Sequence, residues 1–381
     1  METDSKKTKV SLVECLSYEQ QAVYLAVKKA CDLIGGIERV VSKGATVLIK
    51  PCMVKASLPE EGVCTHPEVL RAVIRLAKKC EAKVLVGESH AGIEDSQSVY
   101  ETCGVAKVCR EEKVQIVNFN EAYIVEGVPI AKYVKDVDCF ITVPKFKTHG
   151  LTLLTGAVKS IFGVVPGLHK IEYHKKYLKK EEFAKALVDI FSYAKPHLSL
   201  VDGIVAMEGA GPTTGSLRNS NLIIAGKDAV AVDAVLSELM GVESFKVLTT
   251  KNAHERGLGS GKIEEIEIVG EKLEKVKSNF KLPKSAHIFE LSSGLLSFIL
   301  NRLFSFKLTV KVNKCTLCEK CLKLCPAQAI YKSKNKIKFD KAKCKLCLCC
   351  AELCPQNAIS PYKGILFESI GIIKKIFKRK K

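Results

Sequence analysis

The sequence lacks any long apolar run. Nowhere in its 381 residues do the ~18 to 20 continuous apolar positions of a membrane-spanning helix occur. The opening stretch, METDSKKTKV, carries charge with no apolar segment behind it, so no secretory signal is expected. No G-x-G-x-x-G opens a helix after a strand. RGLGSGKI (256–263) imitates a phosphate loop, yet Arg256 stands where the first glycine belongs and Ile263 where Ser or Thr should follow Lys262. Both nucleotide motifs are rejected. Acidic residues are scarce in one stretch. From Lys311 to Lys381, 18 lysines and arginines face 4 acids, a surplus of +14, which leaves +5 of the total +19 for the first 310 residues. The expectation is a soluble cytoplasmic protein, long enough at 47% hydrophobic for one large domain and one small one.

Cysteine, by contrast, is plentiful. Of 17 cysteines, nine crowd between Cys315 and Cys354 at spacings that suit metal thiolates rather than disulfides. The other eight stand singly among apolar residues, the usual setting of small buried side chains. A reducing compartment follows.

Ahead of the cysteine-rich end, two periodicities alternate. TVLIK (46–50), KVLVG (83–87), VQIVN (114–118), CFITV (139–143), LSLVDGIVA (198–206) and NLIIAG (221–226) read as buried strands. Helical spacing marks YEQQAVYLAVKKACDLI (18–34), HPEVLRAVIRLAKKC (66–80), EEFAKALVDIFSYA (181–194) and DAVAVDAVLSELMG (228–241). The alternation predicts an α/β fold over residues 1–281, a mainly parallel, doubly wound sheet. In such sheets ligands bind beyond the C-terminal strand ends. Residues 282–310, with HIFELSSGLLSFILNRLFSF, read as an apolar linker packed on one of the domains, and 311–361 as a small α+β module. Residues 362–381 read as a basic amphipathic helix with Leu366, Ile370, Ile373 and Phe377 on one stripe.

The module is an internal repeat. CTLCEKCLKLCP (315–326) and CKLCLCCAELCP (344–355) both read C-x2-C-x2-C-x3-C-P. Three cysteines at this spacing can wrap one corner of a cubane, and the fourth, before a proline, points to a second cluster. Cys315, Cys318, Cys321 and Cys354 are therefore expected to hold one [4Fe–4S] cluster, and Cys344, Cys347, Cys350 and Cys325 the other. A zinc ribbon needs only two CxxC pairs and leaves the rest of each run unexplained. Over about residues 311 to 361 the chain resembles the two-cluster bacterial ferredoxins. Cys349 does not fit the pattern and reads as a small side chain packed beside a cluster. The lysine surplus should raise the cluster potentials relative to an acidic ferredoxin and steer docking of an acidic electron donor, a ferredoxin or flavodoxin. Nucleic acid ranks low as a partner, because the lysines lack aromatic interleaving. The terminal helix offers a second placement, on an anionic membrane surface, which would make the protein membrane-peripheral.

Polar residues of the large domain gather where strands end. Lys50 follows one strand, and His66 opens a helix with Thr65 as its expected N-cap. Glu88 and Ser89 follow the next strand, and Lys145, Lys147 and His149 another. Lys159, Asp202 and Glu208 come after these. A Gly/Pro/Thr loop with Gly209, Gly211, Thr213, Thr214 and Gly215 either presents N–H groups to an anion or simply turns the chain. LIKPCMV, THPEV, VGES, PKFKTHGLTLLTGAVKSIFG, DGIVAMEGAGPTTGS and DAVAVDAV together resemble the domain-of-unknown-function-362 family over about residues 45 to 241. That family often carries a two-cluster ferredoxin tail, and no agreed reaction comes with it. One departure is Cys52, where the family usually has Asn after Lys-Pro.

Lys50, Lys147 and Lys159 would make such a crevice cationic and suit a carboxylate or phosphate. Glu88 and Glu208 are the acid/base candidates, and His66, His149 and His174 the proton donors or metal ligands. Three functions compete. The first is a ferredoxin-linked oxidoreductase passing electrons to a small anionic substrate. The second is a binding or maturation protein relaying electrons to a partner or metallocofactor, and the third a membrane-peripheral electron carrier. The first is preferred.

Overall fold

Uninterrupted runs of Val, Ile and Leu form strands wherever both sides of a sheet can be covered. The computed structural model of the protein describes residues 7–90, 94–167, 169–177, 179–283 and 307–362. The basic helix read at 362–381, apart from Tyr362, and most of the linker read at 282–310 lie outside them. The chain divides into two compact units, Met1–Leu282 and Pro283–Lys381.

The first unit carries β1 (Thr8–Glu14), β2 (Thr46–Pro51), β3 (Lys83–Gly87), β4 (Gln115–Val117), β5 (Ala122–Val125) and β6 (Val128–Ala131). Next come β7 (Cys139–Val143), β8 (Lys145–His149), β9 (Leu153–Thr155), β10 (Leu198–Glu208), β11 (Ser216–Gly226) and β12 (Ile266–Gly270). All but the hairpin β5–β6 join one sheet ordered β12-β1-β11-β10-β7-β2-β3-β4, with β8 added to β10 and β9 to β8. Strands β2, β3, β4, β7 and β10 run parallel. β11 turns back antiparallel to both β10 and β1, while β12 is parallel to β1. The sheet is mostly parallel but mixed, because the loop after β10 returns the chain at once instead of crossing over through a helix.

Successive strand residues point to opposite faces. Leu48, Leu85, Phe140, Val201 and Ile224 enter one buried cluster, and Val47, Ile49, Ile141, Leu200 and Ile223 the other. Helices Gln20–Leu33 and Pro67–Lys79 close the second cluster with Val23, Val27, Leu70 and Val73. Lys180–Tyr193 and Ala229–Leu239 close the first with Leu187, Phe191 and Val235. Each fully buried aliphatic side chain contributes about 1.5–3 kcal/mol. The rigid sheet that results delivers the ends of β2, β3, β7 and β10 to one edge.

The second unit is built on β13 (Lys307–Val310), β14 (Ile330–Ser333), β15 (Lys336–Phe339) and β16 (Ile359–Tyr362). β13 pairs antiparallel with β16, and β14 with β15. The two cysteine runs are 29 residues apart, from Cys315 to Cys344. The same shift carries β13 onto β15 and β14 onto β16, and takes the pair Ile330–Phe339 to Ile359–Val310, which is the pair observed. A pairing that maps onto itself in this way is twofold. Lys307–Val310, read from sequence as the end of the linker, belongs to the module because it closes that pairing. Lys334 and Asn335, at φ 47° and 55°, supply the two left-handed residues of the tight turn between β14 and β15.

Candidate functional site

Two cavities in the second unit are lined by cysteine. Cys315, Cys318, Cys321 and Cys354 line one, and Cys325, Cys344, Cys347 and Cys350 the other. Each cavity gathers three cysteines of one run and the fourth of the other, the two sets read from spacing. Among the described residues, no three His, Cys, Asp or Glu side chains form a site for a single metal ion. A cubane suits this spread of thiols better, since it takes each one at a different iron.

Local backbone shapes the cavities. Leu317 and Glu319 in the first run, and Leu346 and Leu348 in the second, have left-handed φ values of 56°, 59°, 53° and 64°. Each costs about 1–2 kcal/mol for a residue with a side chain. The paired strain curls both loops alike. Further on, the Ala329 N–H donates to Cys325 Sγ at 3.2 Å and the Ala358 N–H to Cys354 Sγ at 3.3 Å. Such bonds stabilise a thiolate ligand. Burial, then the sulfurs of Cys354, Cys318 and Cys315, push Cys321 up to about 11, and bound iron would replace the thiol protons. Cys349 Sγ stays within its own loop, donating to the Cys347 carbonyl at 3.8 Å and contacting the Cys347 thiol.

In the first unit, β2 and β3 are parallel neighbours with Ile49 opposite Val86. Lys50 and Glu88 therefore emerge side by side and form a buried ion pair. Burial raises the Glu88 carboxyl above its usual range, and the charges of Lys50, Lys170 and Lys159 oppose that rise. Gly163 is required beside it, because a Cβ there would overlap the Glu88 carboxylate. Lys170, on the helix His169–Lys176, donates to the Ser89 carbonyl and, at 3.2 Å, to that of His90. Burial, only partly offset by Glu88, brings Lys170 down to about 7.

Lys147 is fully buried and donates to the Val63 carbonyl at 2.5 Å. His149 Nδ1 accepts the Leu151 and Thr152 N–H groups at 3.1 and 3.4 Å, which leaves the ring proton on Nε2. Burial, then the charges of Lys159 and Lys147, hold His149 well below the usual histidine range. His174, stacked on Phe183 at 4.7 Å, is lowered to about 4 by burial and Lys159. These two histidines are neutral at pH 7, so the reading of them as proton donors narrows to neutral N–H groups. The Lys159 charge reaches Glu88, Lys170, His149 and His174 alike. Asp233 fixes the short helix that carries Lys159, accepting the Ala157 and Val158 N–H groups at 2.5 and 3.1 Å.

A second set lies on β8 and β10, where Lys145 stands opposite Asp202 and pairs with it at 2.8 Å. The Tyr18 hydroxyl accepts from Lys145 Nζ at 2.7 Å and from the Val205 N–H at 3.1 Å, and donates to Asp202 Oδ1 at 2.9 Å. Its hydrogen-bonding capacity is full, so it has none left for a substrate. His66 lies flat on Tyr18, ring centres 3.6 Å apart, and burial lowers it to about 4. His66 is the N-cap of Pro67–Lys79, its Nδ1 accepting the Glu68 N–H at 3.2 Å. This corrects the assignment of Thr65, whose Oγ1 donates to the Val143 carbonyl at 2.5 Å and accepts the Cys52 N–H at 2.8 Å.

Glu208 is also corrected. Its carboxylate accepts from Arg218 and from the Lys281 N–H, both at 3.0 Å. Desolvation pushes it up, but these donors outweigh it and hold the group below its usual range. Glu208 is thereby tied to Arg218 and to the Lys281 backbone. The loop Gly209–Gly215 is the turn between β10 and β11. The Gly209 N–H donates to the Lys281 carbonyl at 2.6 Å, the Gly211 N–H to the Gly209 carbonyl at 2.9 Å, and Thr214 Oγ1 to the Ala210 carbonyl at 2.9 Å. At Gly211 the Thr148 carbonyl leaves no room for a Cβ. With Gly209 and Gly211 committed to the turn, the anion reading of that loop with Thr213, Thr214 and Gly215 gives way. Of the seven proposed catalytic residues, Lys50 pairs with Glu88, the Lys159 charge reaches Glu88 and His149, and Lys147 acts on His149, while His66 sits with Asp202 and Glu208 with Arg218. Lys170 and Tyr18 escaped sequence reasoning, since each is one residue among many of its kind.

Residues 47–238 match the family model described as "Domain of unknown function (DUF362)". The chain belongs to the DUF362 family. A second model, "4Fe-4S binding domain", matches residues 337–360, so this DUF362 protein binds a 4Fe–4S cluster and carries an electron-transfer module. A thylakoid-associated protein of Synechocystis sp. is 30% identical over 282 residues, covering 72% of the DUF362 chain and 88% of the relative. The lactate racemase apoprotein from Thermoanaerobacterium thermosaccharolyticum is 14% identical with a TM-score of 0.38, over 58% of this chain and 54% of that one. A Thermotoga maritima protein of known structure is 12% identical with a TM-score of 0.32, over 49% and 50%. The DUF362 chain spans about half the length of these two structures.

Proposed function

We propose that this DUF362 protein is a ferredoxin-linked oxidoreductase that carries electrons on two [4Fe–4S] clusters to a small anionic substrate at the strand ends. One observation carries the reading. The buried Lys50 and Lys145, one in each set, are paired with the buried carboxylates Glu88 and Asp202. Lys147 and Lys170 donate to carbonyl oxygens instead. Buried charge calls for compensation, and a carboxylate or phosphate supplies it. The burial of both sheet faces supports a doubly wound arrangement, the kind that opens a crevice at strand ends.

Cys315, Cys318, Cys321 and Cys354 would hold one cluster, and Cys325, Cys344, Cys347 and Cys350 the other; bound there, they supply one-electron transfer. The chain's own residues do the rest. Lys147 and Lys159 hold the anion, and Lys170 adds its charge as pH falls through about 7. Glu88 holds or yields a proton under the control of Lys50, with His149 within reach of the Lys159 and Lys147 charges. An acidic ferredoxin or flavodoxin is the proposed donor, drawn by the +14 surplus of Lys311–Lys381.

Protein purified without oxygen should hold about eight irons per chain and bind inorganic phosphate or acetate. Lys147→Ala should weaken that binding at least about tenfold with the iron retained. Anion binding that is absent, or untouched by Lys147→Ala, would overturn the enzyme reading, and about four irons per chain would overturn the second cluster. Peripheral membrane association is a second reading, favoured by the thylakoid-associated relative. Among the described residues no helix is long and apolar enough to cross a membrane. Sedimentation with anionic vesicles, lost on deleting residues 363–381, would support it, and protein left in the supernatant at low salt would count against it.

A further inference from the structure

Two thiols that neither cluster binding nor the proposed anion site uses are in contact. Cys64 Sγ and Cys103 Sγ lie 3.4 Å apart although 39 residues separate them in sequence. Cys64 stands in the loop before the helix Pro67–Lys79, and Cys103 caps the end of the helix Ser96–Thr102. Both are buried, with 1% and 0% exposure, and both turn to the Lys55 carbonyl, at 3.6 and 3.5 Å. Cys15 and Cys80 behave differently, each bonding only a nearby carbonyl of its own segment. Both belong to one buried cluster, and their sulfurs face each other within it.

We infer that Cys64 and Cys103 form a reversible dithiol–disulfide site in the α/β unit. The two sulfurs must close to a bond length of about 2.05 Å, a small movement from contact. The Cys103 thiol, donating to Cys64, lowers it to about 7 against the desolvation of burial, and the Lys147 charge helps; Cys103 itself rises. One proton held between two sulfurs is the state from which thiol–disulfide exchange begins. With glutathione disulfide as oxidant, the Cys64 thiolate attacks one sulfur and releases one glutathione thiol. Cys103 then attacks Cys64 Sγ of the mixed disulfide and releases the second. The protein gives up two electrons and two protons, and the two glutathione thiols take them. Cys64 follows Val63, whose carbonyl accepts from Lys147. In a reducing compartment such a bond is transient, as a sensing or catalytic disulfide is. The site stands whether or not an anion binds near it.

The test uses the iron-loaded full chain, held without oxygen in glutathione buffers of increasing disulfide fraction. Free thiols are alkylated, and peptides are read by mass spectrometry. The expected result is a Cys64–Cys103 linked peptide that comes to dominate, reverts fully with dithiothreitol, and is lost in Cys103→Ser. Two free thiols at every buffer ratio, in protein that keeps its iron and circular dichroism, would overturn the site. So would a link that forms only after the iron is lost. Neither result touches the phosphate and acetate measurement.

Discussion

The two units hold their functional groups by opposite means. In the small one, chain-local spacing places the cysteines, and among the described residues a small core around Ile330, Ile337, Cys350, Ala351 and Ile359 lies behind them. In the large one, the groups come from positions as distant as Lys50 and Lys170, and a sheet buried on both faces carries them. A unit that buries so little cannot offset the conformational entropy of its loops without a further constraint. The small unit should owe its fold to iron, and the large one should not.

Removing iron attacks this contrast most directly. Chelation of the full chain should unfold residues 307–362 while the first unit stays folded, seen as hydrogen exchange that becomes fast in one unit only. Equal protection of both after iron loss would erase the difference. Within the large unit, Lys50→Ala should cost about 3–5 kcal/mol in denaturant unfolding, because it strands the buried Glu88 charge. Lys50→Met with Glu88→Leu should recover most of that loss. A smaller effect involves Asp233, which burial raises to about 7 from its ordinary 3.8. The folded state keeps a proton that the unfolded chain has shed across this window. Stability should therefore fall as pH rises from about 4 to about 7, by up to ~1.4 kcal/mol per unit, and Asp233→Asn should remove that slope. The smallest effect is on ligand binding. Sulfate, whose charge is fixed, should bind up to about tenfold more tightly at pH 6 than at pH 8 as Lys170 gains its proton, and Lys170→Met should flatten the profile.

Much of this organisation was legible in advance where a physical signal is local. The strands at Thr46–Pro51, Lys83–Gly87 and Cys139–Val143 and the helix Pro67–Lys79 follow from periodicity, and the cysteine sets from spacing. Partnership was not legible. Glu208 looked like an acid until Arg218 and the Lys281 N–H took its oxygens. Lys170 was one lysine in a basic stretch until burial and Glu88 singled it out. The antiparallel β1 and β11 escaped because strand direction is set by the connection and not by the strand's own residues. Cys64 and Cys103 looked like isolated fillers, since nothing in a sequence reveals that two loops will meet.

Twofold symmetry carries no direction. β13–β16 and β14–β15 interchange under the 29-residue shift, and so do the left-handed residues Leu317 with Leu346 and Glu319 with Leu348. A conductor built this way presents the same backbone at either end. The two ends can differ only where the two runs differ, at Thr316, Glu319, Lys320, Leu322 and Lys323 on one loop and Lys345, Leu348, Cys349, Ala351 and Glu352 on the other. With Glu319, Lys320 and Lys323 the first run carries a net +1, and with Lys345 and Glu352 the second carries none. Whatever distinguishes the two ends therefore lies in side chains and not in the backbone they share.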